Sequence, residues 1–154
     1  MSFLLLYDVF TDAFDEHAIR WPVTLETDGQ TLKGELIADG TDYLIPRQYE
    51  LELKWTFRLL KLDDDTVIDF RDDPFPLKWS ERRYEERLRK FEASGEEAWL
   101  RQFVIDAADA SRETLTDGLL RHPAFTQALQ EANIATPDVI HLAKEPVYEP
   151  GQGD

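Results

Sequence analysis

Residues 49–60 read YELELKWTFRLL, and this stretch decides the fold. Tyr49, Leu51, Leu53, Trp55, Phe57 and Leu59 alternate with Glu50, Glu52, Lys54, Thr56, Arg58 and Leu60. Side chains on a strand point in turn to opposite faces, so this period puts an apolar band on one face and mostly charge on the other. The stretch reads as a half-buried antiparallel strand, with one face on a core and one in water.

Upstream, Trp21, Val23 and Leu25 lead into Asp28-Gly29, and Leu32 to Ala38 lead into Asp39-Gly40 before Tyr43 to Ile45. Asp-Gly supplies the positive φ that tight hairpins need, so three strands are expected to meander through two hairpins. Trp21 stands at the start of a strand, before Pro22. Phe3 to Phe10, apolar on both sides, is expected as a further, covered strand. Just downstream, Thr66 to Arg71 pairs back onto the long strand through Asp63-Asp64-Asp65, residues favoured in hairpin loops by local hydrogen bonds and solvation. At Asp72-Asp73-Pro74 the sheet is expected to end.

Past Pro76 the apolar period changes from two to between three and four. WSERRYEERLRKFEASG, residues 79–95, sets Tyr84, Leu88 and Phe91 on one helical face. Ser94 and Glu97 form a capping-box pattern for a second helix, with Trp99, Leu100, Phe103, Val104 and Ala107 as its apolar face. A third helix is expected from Pro123 to about Asn133, with Phe125, Ala128, Leu129 and Ala132 sharing a face. Thr136-Pro137 suggests one short helical turn more, and EPVYEPGQGD, with two prolines and two glycines, a mobile tail. Strands first and helices afterwards give an α+β class: an antiparallel β-sheet of five or six strands in the N-terminal half, followed by about three α-helices packed on one face. The expected organisation is one domain over residues 1–142, strands in 1–76 and helices in 77–142, with 143–154 a flexible acidic tail.

The chain of 154 residues is long enough to bury a core without covalent staples. It has no cysteine, which removes disulfides, thiolate ligands and a cysteine nucleophile. Its opening apolar run is too short for a membrane span and lacks a basic flank, so a cytoplasmic protein away from membranes is expected. Hydrophobic residues at 42% exclude an intrinsically disordered chain.

The net charge of −15 opposes phosphate backbones, so no direct nucleic-acid partner is expected. Residues 1–76 hold 17 acidic and 7 basic side chains, whereas residues 77–122 hold 10 and 9, so the excess lies in the strand-rich half. Asp63, Asp64, Asp65, Asp69, Asp72 and Asp73 concentrate it, and they are the candidate partner-binding residues. Their spacing lacks the glycine and closing glutamate of a calcium loop, so no metal site is assigned. His17, His122 and His141 are too scattered for a common zinc site. His122 before Pro123 marks a junction between two helices, and His17 beside Asp15 and Glu16 is read as a polar connecting segment rather than an acid/base pair. No nucleophile elbow, phosphate loop or dinucleotide fingerprint is present, and no cofactor or catalytic residue is assigned.

These features favour a non-enzymatic binding protein of inhibitor, immunity or adaptor type that engages a basic protein through its acidic surface. Two alternatives remain. One is a small hydrolase or divalent-cation-binding protein built on the same carboxylates, and the other a structural or homo-oligomeric subunit joined through its helical face.

Overall fold

A computed structural model describes residues 13–45, 50–82 and 96–150 of the chain. Three long strands form the centre of one antiparallel sheet: β1 (Ala13–Thr27), β2 (Gln30–Ile45) and β3 (Glu50–Leu62). Asp28 (φ 49°) and Gly29 (φ 77°) join β1 to β2, both in the left-handed region that a two-residue hairpin turn demands. The outer edge of β3 carries two short strands, β4 (Val67–Asp69) and β5 (Phe75–Arg82). That of β1 carries β6 (Val139–Leu142) and β7 (Val147–Pro150). Among the described residues the sheet is thus seven-stranded, with each flanking row built from two consecutive segments that run the same way along one long strand. Interrupted, short edges are poor templates for pairing with foreign strands.

Two helices among the described residues follow β5: α1 (Glu96–Leu120) and α2 (Pro123–Glu131). Phe103, Val104, Ala107, Ala108, Leu115 and Leu119 recur at helical spacing on α1 and are buried, as are Phe125, Ala128 and Leu129 on α2. They meet the inner face of the sheet, where Ile19, Trp21, Leu36, Leu53, Trp55 and Phe57 are each at most 1% exposed. Fully burying one such side chain contributes about 1.5–3 kcal/mol, so the aromatic contacts Trp21–Trp55 (5.8 Å) and Trp55–Phe57 (6.3 Å) sit in the most strongly stabilised part of the molecule.

The α+β class and the antiparallel sheet agree with expectation, but several details differ. Strand β2 runs unbroken through Asp39-Gly40, where a second hairpin is expected. Gly40 lies opposite His17, and a Cβ there would come within 2.2 Å of Nε2, so this glycine makes room for an imidazole rather than a turn. A bulge shifts the β2–β3 register at Ile37/Ala38: Ile37 faces Leu59 and Ala38 faces Phe57, leaving Arg58 as the extra residue. Alternation therefore reverses, and Leu60 (0% exposed) rather than Leu59 joins the core. Trp21 sits in mid-strand, not at a start.

The sheet does not end at Asp72-Asp73-Pro74. β5 returns to β3, and Trp79 to Arg82, expected to open a helix, lie in this strand. The rest of that expected helix, Ser94 of the capping box and the Phe3–Phe10 strand lie outside the described residues. No helical turn forms at Thr136-Pro137, and β6 follows instead. Residues 147–150, expected as mobile tail, are held as β7 against His17 to Arg20 of β1. No described helix is long and apolar enough to cross a membrane.

Candidate functional site

The carboxylates singled out in the sequence lie on two successive turns around β4. At the β3–β4 hairpin, Asp65 takes φ 73°, a conformation that aspartate tolerates better than most residues. The backbone N–H of Thr66 donates to Asp64 Oδ1 at 3.0 Å, and that of Asp63 donates to the carbonyl of Lys33 at 2.9 Å, tying the tip to β2. In the β4–β5 turn the backbone N–H of Arg71 donates to Asp69 Oδ1 at 3.0 Å, and the guanidinium closes a salt bridge to Asp69 Oδ2 at 2.8 Å. The side-chain bond from Thr66 holds the Asp64 carboxyl below the usual aspartate range, and the Arg71 bond does the same for Asp69.

The second turn is anchored from below. Phe70 packs edge-on against Phe125 at 5.3 Å, and His122, at the N-terminus of α2, donates from Nε2 to the carbonyl of Asp73. Phe75 completes the anchor, its ring 5.7 Å from His122 and lodged against Gly118 of α1. His122 does mark the junction between two helices, and it also fixes the acidic turn, a role that depends on a partner 49 residues away.

All six aspartates are exposed. In this acidic corner Asp63, Asp65 and Asp73 make no ion pair among the described residues. Among the described residues no group of three or more His, Asp or Glu side chains is placed to hold a metal ion. On the outer face of the sheet several acids are matched by bases: Arg20 with Glu35 (3.2 Å) and Glu149, Arg58 with Asp39 (3.0 Å), and Lys78 with Glu52 (3.2 Å). Charge that the sequence distributes over the whole strand-rich half is thus partly neutralised on the face and left in excess at the corner.

An open depression of about 410 Å³ crosses the outer face beside this corner, lined among others by Pro22, Thr24, Lys33, Glu35, Asp63 and His141. It admits only Asp63 of the six, opposite Lys33. His17 has no part in it. Neither a polar connector nor paired with the exposed Glu16, it stands on β1 with 4% exposure and accepts a 2.9 Å hydrogen bond at Nε2 from Trp55 Nε1. The corner touches β2 at Lys33 and His17 faces Gly40, so at roughly 3.3 Å per residue the two are on the order of 20 Å apart.

The exposed residues of α1 whose burial is described are Asp109, Ala110, Glu113, Thr114 and Asp117, all but one polar, and the helical aromatics Phe103 and Phe125 are buried. The chain matches no protein-family model, and no curated protein or solved structure matches it.

Proposed function

We propose that the protein is a non-enzymatic binding protein whose acidic corner, Asp63, Asp64, Asp65, Asp69, Asp72 and Asp73, docks a basic protein. The observation that carries this reading is the contrast between the corner, where six exposed aspartates face one salt-bridged arginine, and the sheet face, where Glu35, Asp39 and Glu52 each have a basic partner. Exposed carboxylates on two turns, the first tied to β2 at Lys33 and the second anchored by Phe70, Phe75 and His122, present a preorganised field to Lys and Arg side chains. They do not form the concave, convergent cluster that hydrolysis or cation binding needs, and this sets the hydrolase alternative behind the docking one.

The test is a charge-reversed variant, Asp63→Lys/Asp64→Lys/Asp65→Lys. Basic proteins retained from the source cell by the wild type and lost by the variant are purified, and association rates are measured at low and high salt. The variant folds normally and associates about tenfold or more slowly at low salt, and the gap closes as the Debye length falls below about 8 Å. Equal on-rates at low salt would overturn the reading.

A further inference from the structure

We propose that Asp28-Gly29 is a site of spontaneous backbone isomerisation: the Gly29 nitrogen closes on the Asp28 side chain to a succinimide, which reopens to isoaspartate. Asp-Gly also occurs at Asp39-Gly40 in β2 and at Asp117-Gly118 in α1, and the fold keeps both of these in the aspartyl form. In ring closure a bond forms from the Gly29 nitrogen to Asp28 Cγ, a Cγ–O bond breaks, and the carboxyl OH leaves as water with the amide proton. Water then adds to either ring carbonyl. Cleavage of the new bond restores aspartate, whereas cleavage of the original peptide bond routes the main chain through Cβ and Cγ and leaves the free carboxylate on Cα. The sequence is redox-neutral and needs only water.

Ring closure needs the glycine nitrogen on the same side of the Cα–C bond as Cβ, an Asp ψ near about −120°, which is the ψ of the first central residue of a type II′ turn. Asp28 and Gly29, at φ 49° and 77° between Thr27 and Gln30, have the signs of a type I′ turn. A type II′ turn keeps the positive φ of Asp28 and reverses that of Gly29, so flipping one peptide unit reaches the reactive ψ without moving the strands. Glycine takes either sign of φ, and nothing lies within 4 Å of a Cβ built at Gly29. Both residues are exposed, and neither the Gly29 N–H nor the Asp28 carboxylate has a hydrogen-bond or ion-pair partner among the described residues. The flip therefore breaks no bond of the fold.

The other two pairs are held. Asp39 is salt-bridged to Arg58 at 3.0 Å, and Gly40 is buried in mid-strand opposite His17 on one side and Trp55 on the other. Gly118 lies within α1 with the Phe75 ring over it. To reach the reactive ψ from that of a strand, about +135°, or of a helix, about −42°, breaks ladder or helix hydrogen bonds. At the hairpin the product has a local consequence, because isoaspartate adds one atom to the main chain of a two-residue loop whose length sets the register. The Thr27–Gln30 closing pair is lost first. The α2–β6 link is tied to this tip, Asp138 N–H donating to the Glu26 carbonyl at 2.8 Å and Thr27 Oγ1 to that of Ala135 at 2.7 Å, so it loosens with it.

To test this, the full chain is aged in warm, mildly acidic buffer, both folded and denatured in guanidinium chloride, and then digested with trypsin. Asp28, Asp39 and Asp117 fall in separate peptides, residues 21–33, 34–47 and 113–121. Isoaspartate in each is read by fragmentation mass spectrometry and by labelled methyl transfer from S-adenosylmethionine with an isoaspartyl carboxyl methyltransferase. In the folded protein the Asp28 peptide isomerises at least about tenfold faster than the other two, and in the denatured chain the three rates converge. Equal rates in the folded protein, or an Asp28 peptide that stays aspartyl while the denatured chain converts, overturn the proposal. Gly29→Ala, whose methyl crowds the attacking nitrogen, slows the Asp28 peptide, and an unchanged rate there refutes attack by this amide.

Discussion

The guanidinium of Arg112 lies 5.7 Å from the ring centroid of Trp21, and both side chains donate to the carbonyl of Ala143, Arg112 Nη1 at 2.7 Å and Trp21 Nε1 at 2.8 Å. Arg112 also donates to the carbonyls of Leu142 (3.1 Å) and Lys144 (2.9 Å). These carbonyls belong to the link between β6 and β7, where the chain leaves the β1 ladder and its backbone acceptors need other donors. One planar fork from α1 thereby closes the flanking row of the sheet.

Replacing Arg112 by Ala removes these bonds together with the stacking on Trp21. The expected loss is about 2–4 kcal/mol in urea unfolding, since bonds from a charged donor contribute about 1.5–3 kcal/mol and water re-solvates part of the site. Arg112→Lys recovers only a fraction, because a single ammonium does not span three carbonyls in the guanidinium's plane. A loss below about 0.5 kcal/mol in Arg112→Ala would show the link to be held without the clamp.

The two Asp-Gly pairs separate by mutation. Gly29 sits at φ 77° with nothing within 4 Å of a built Cβ, so Gly29→Ala carries only the left-handed backbone penalty of about 1–2 kcal/mol. Gly40→Ala drives a methyl into the His17 ring and is expected to cost about 1–3 kcal/mol as overpacking. Adding His17→Ala to Gly40→Ala relieves that penalty, whereas adding it to Gly29→Ala does not, and a double-mutant cycle measures the difference.

These glycines show what the sequence made legible. Period-two alternation over many residues identified the long strands, and Asp28-Gly29 identified its hairpin, because both signals are local. Asp39-Gly40 carries the same dipeptide, yet the decisive fact is an imidazole 23 residues away in the chain, across the β1–β2 ladder. Likewise Leu59 and Leu60 are chemically alike, so only the extra residue Arg58 determines which one is buried. β6 and β7, at four residues each, are too short to show a period and exist through pairing with β1. At the candidate site the exposure of the six aspartates followed from turn chemistry, but the anchoring of the second turn by Phe70, Phe75 and His122 arises only in the folded chain.

The carboxylates of the corner should titrate unequally. Arg71 holds Asp69 below the usual 3.8, and the bond from Thr66 does so for Asp64. In both, the folded form releases its proton more readily than the unfolded form, so each supports the fold above pH 3.8 and its contribution is lost as pH falls through the lowered folded value. Both groups are open to water, so the effect on stability is small and the titration itself is the measurement. Carboxyl carbon NMR should show the Asp69 midpoint rising toward 3.8 in Arg71→Gln while that of Asp64 stays put. An unchanged Asp69 midpoint would mean that the guanidinium does not sit on this carboxylate in solution.

Gly118 sets two principles against each other. By helix propensity alone, Gly118→Ala within α1 stabilises by about 1 kcal/mol. The structure places the Phe75 ring where that methyl would go, with Cζ at 2.3 Å and Cε1 at 2.7 Å. Overpacking of about 1–3 kcal/mol should win, so the net change is destabilising. The displaced ring also packs against His122, which donates to the carbonyl of Asp73, so amide protection at Asp73, whose N–H donates to the carbonyl of Phe70, should drop more than that of the central strands. Trimming Phe75 to Leu in the Gly118→Ala background opens the needed space and should return part of the helix gain. If Gly118→Ala alone raises stability, Phe75 does not pack against this turn of α1, and the acidic corner loses one of its anchors.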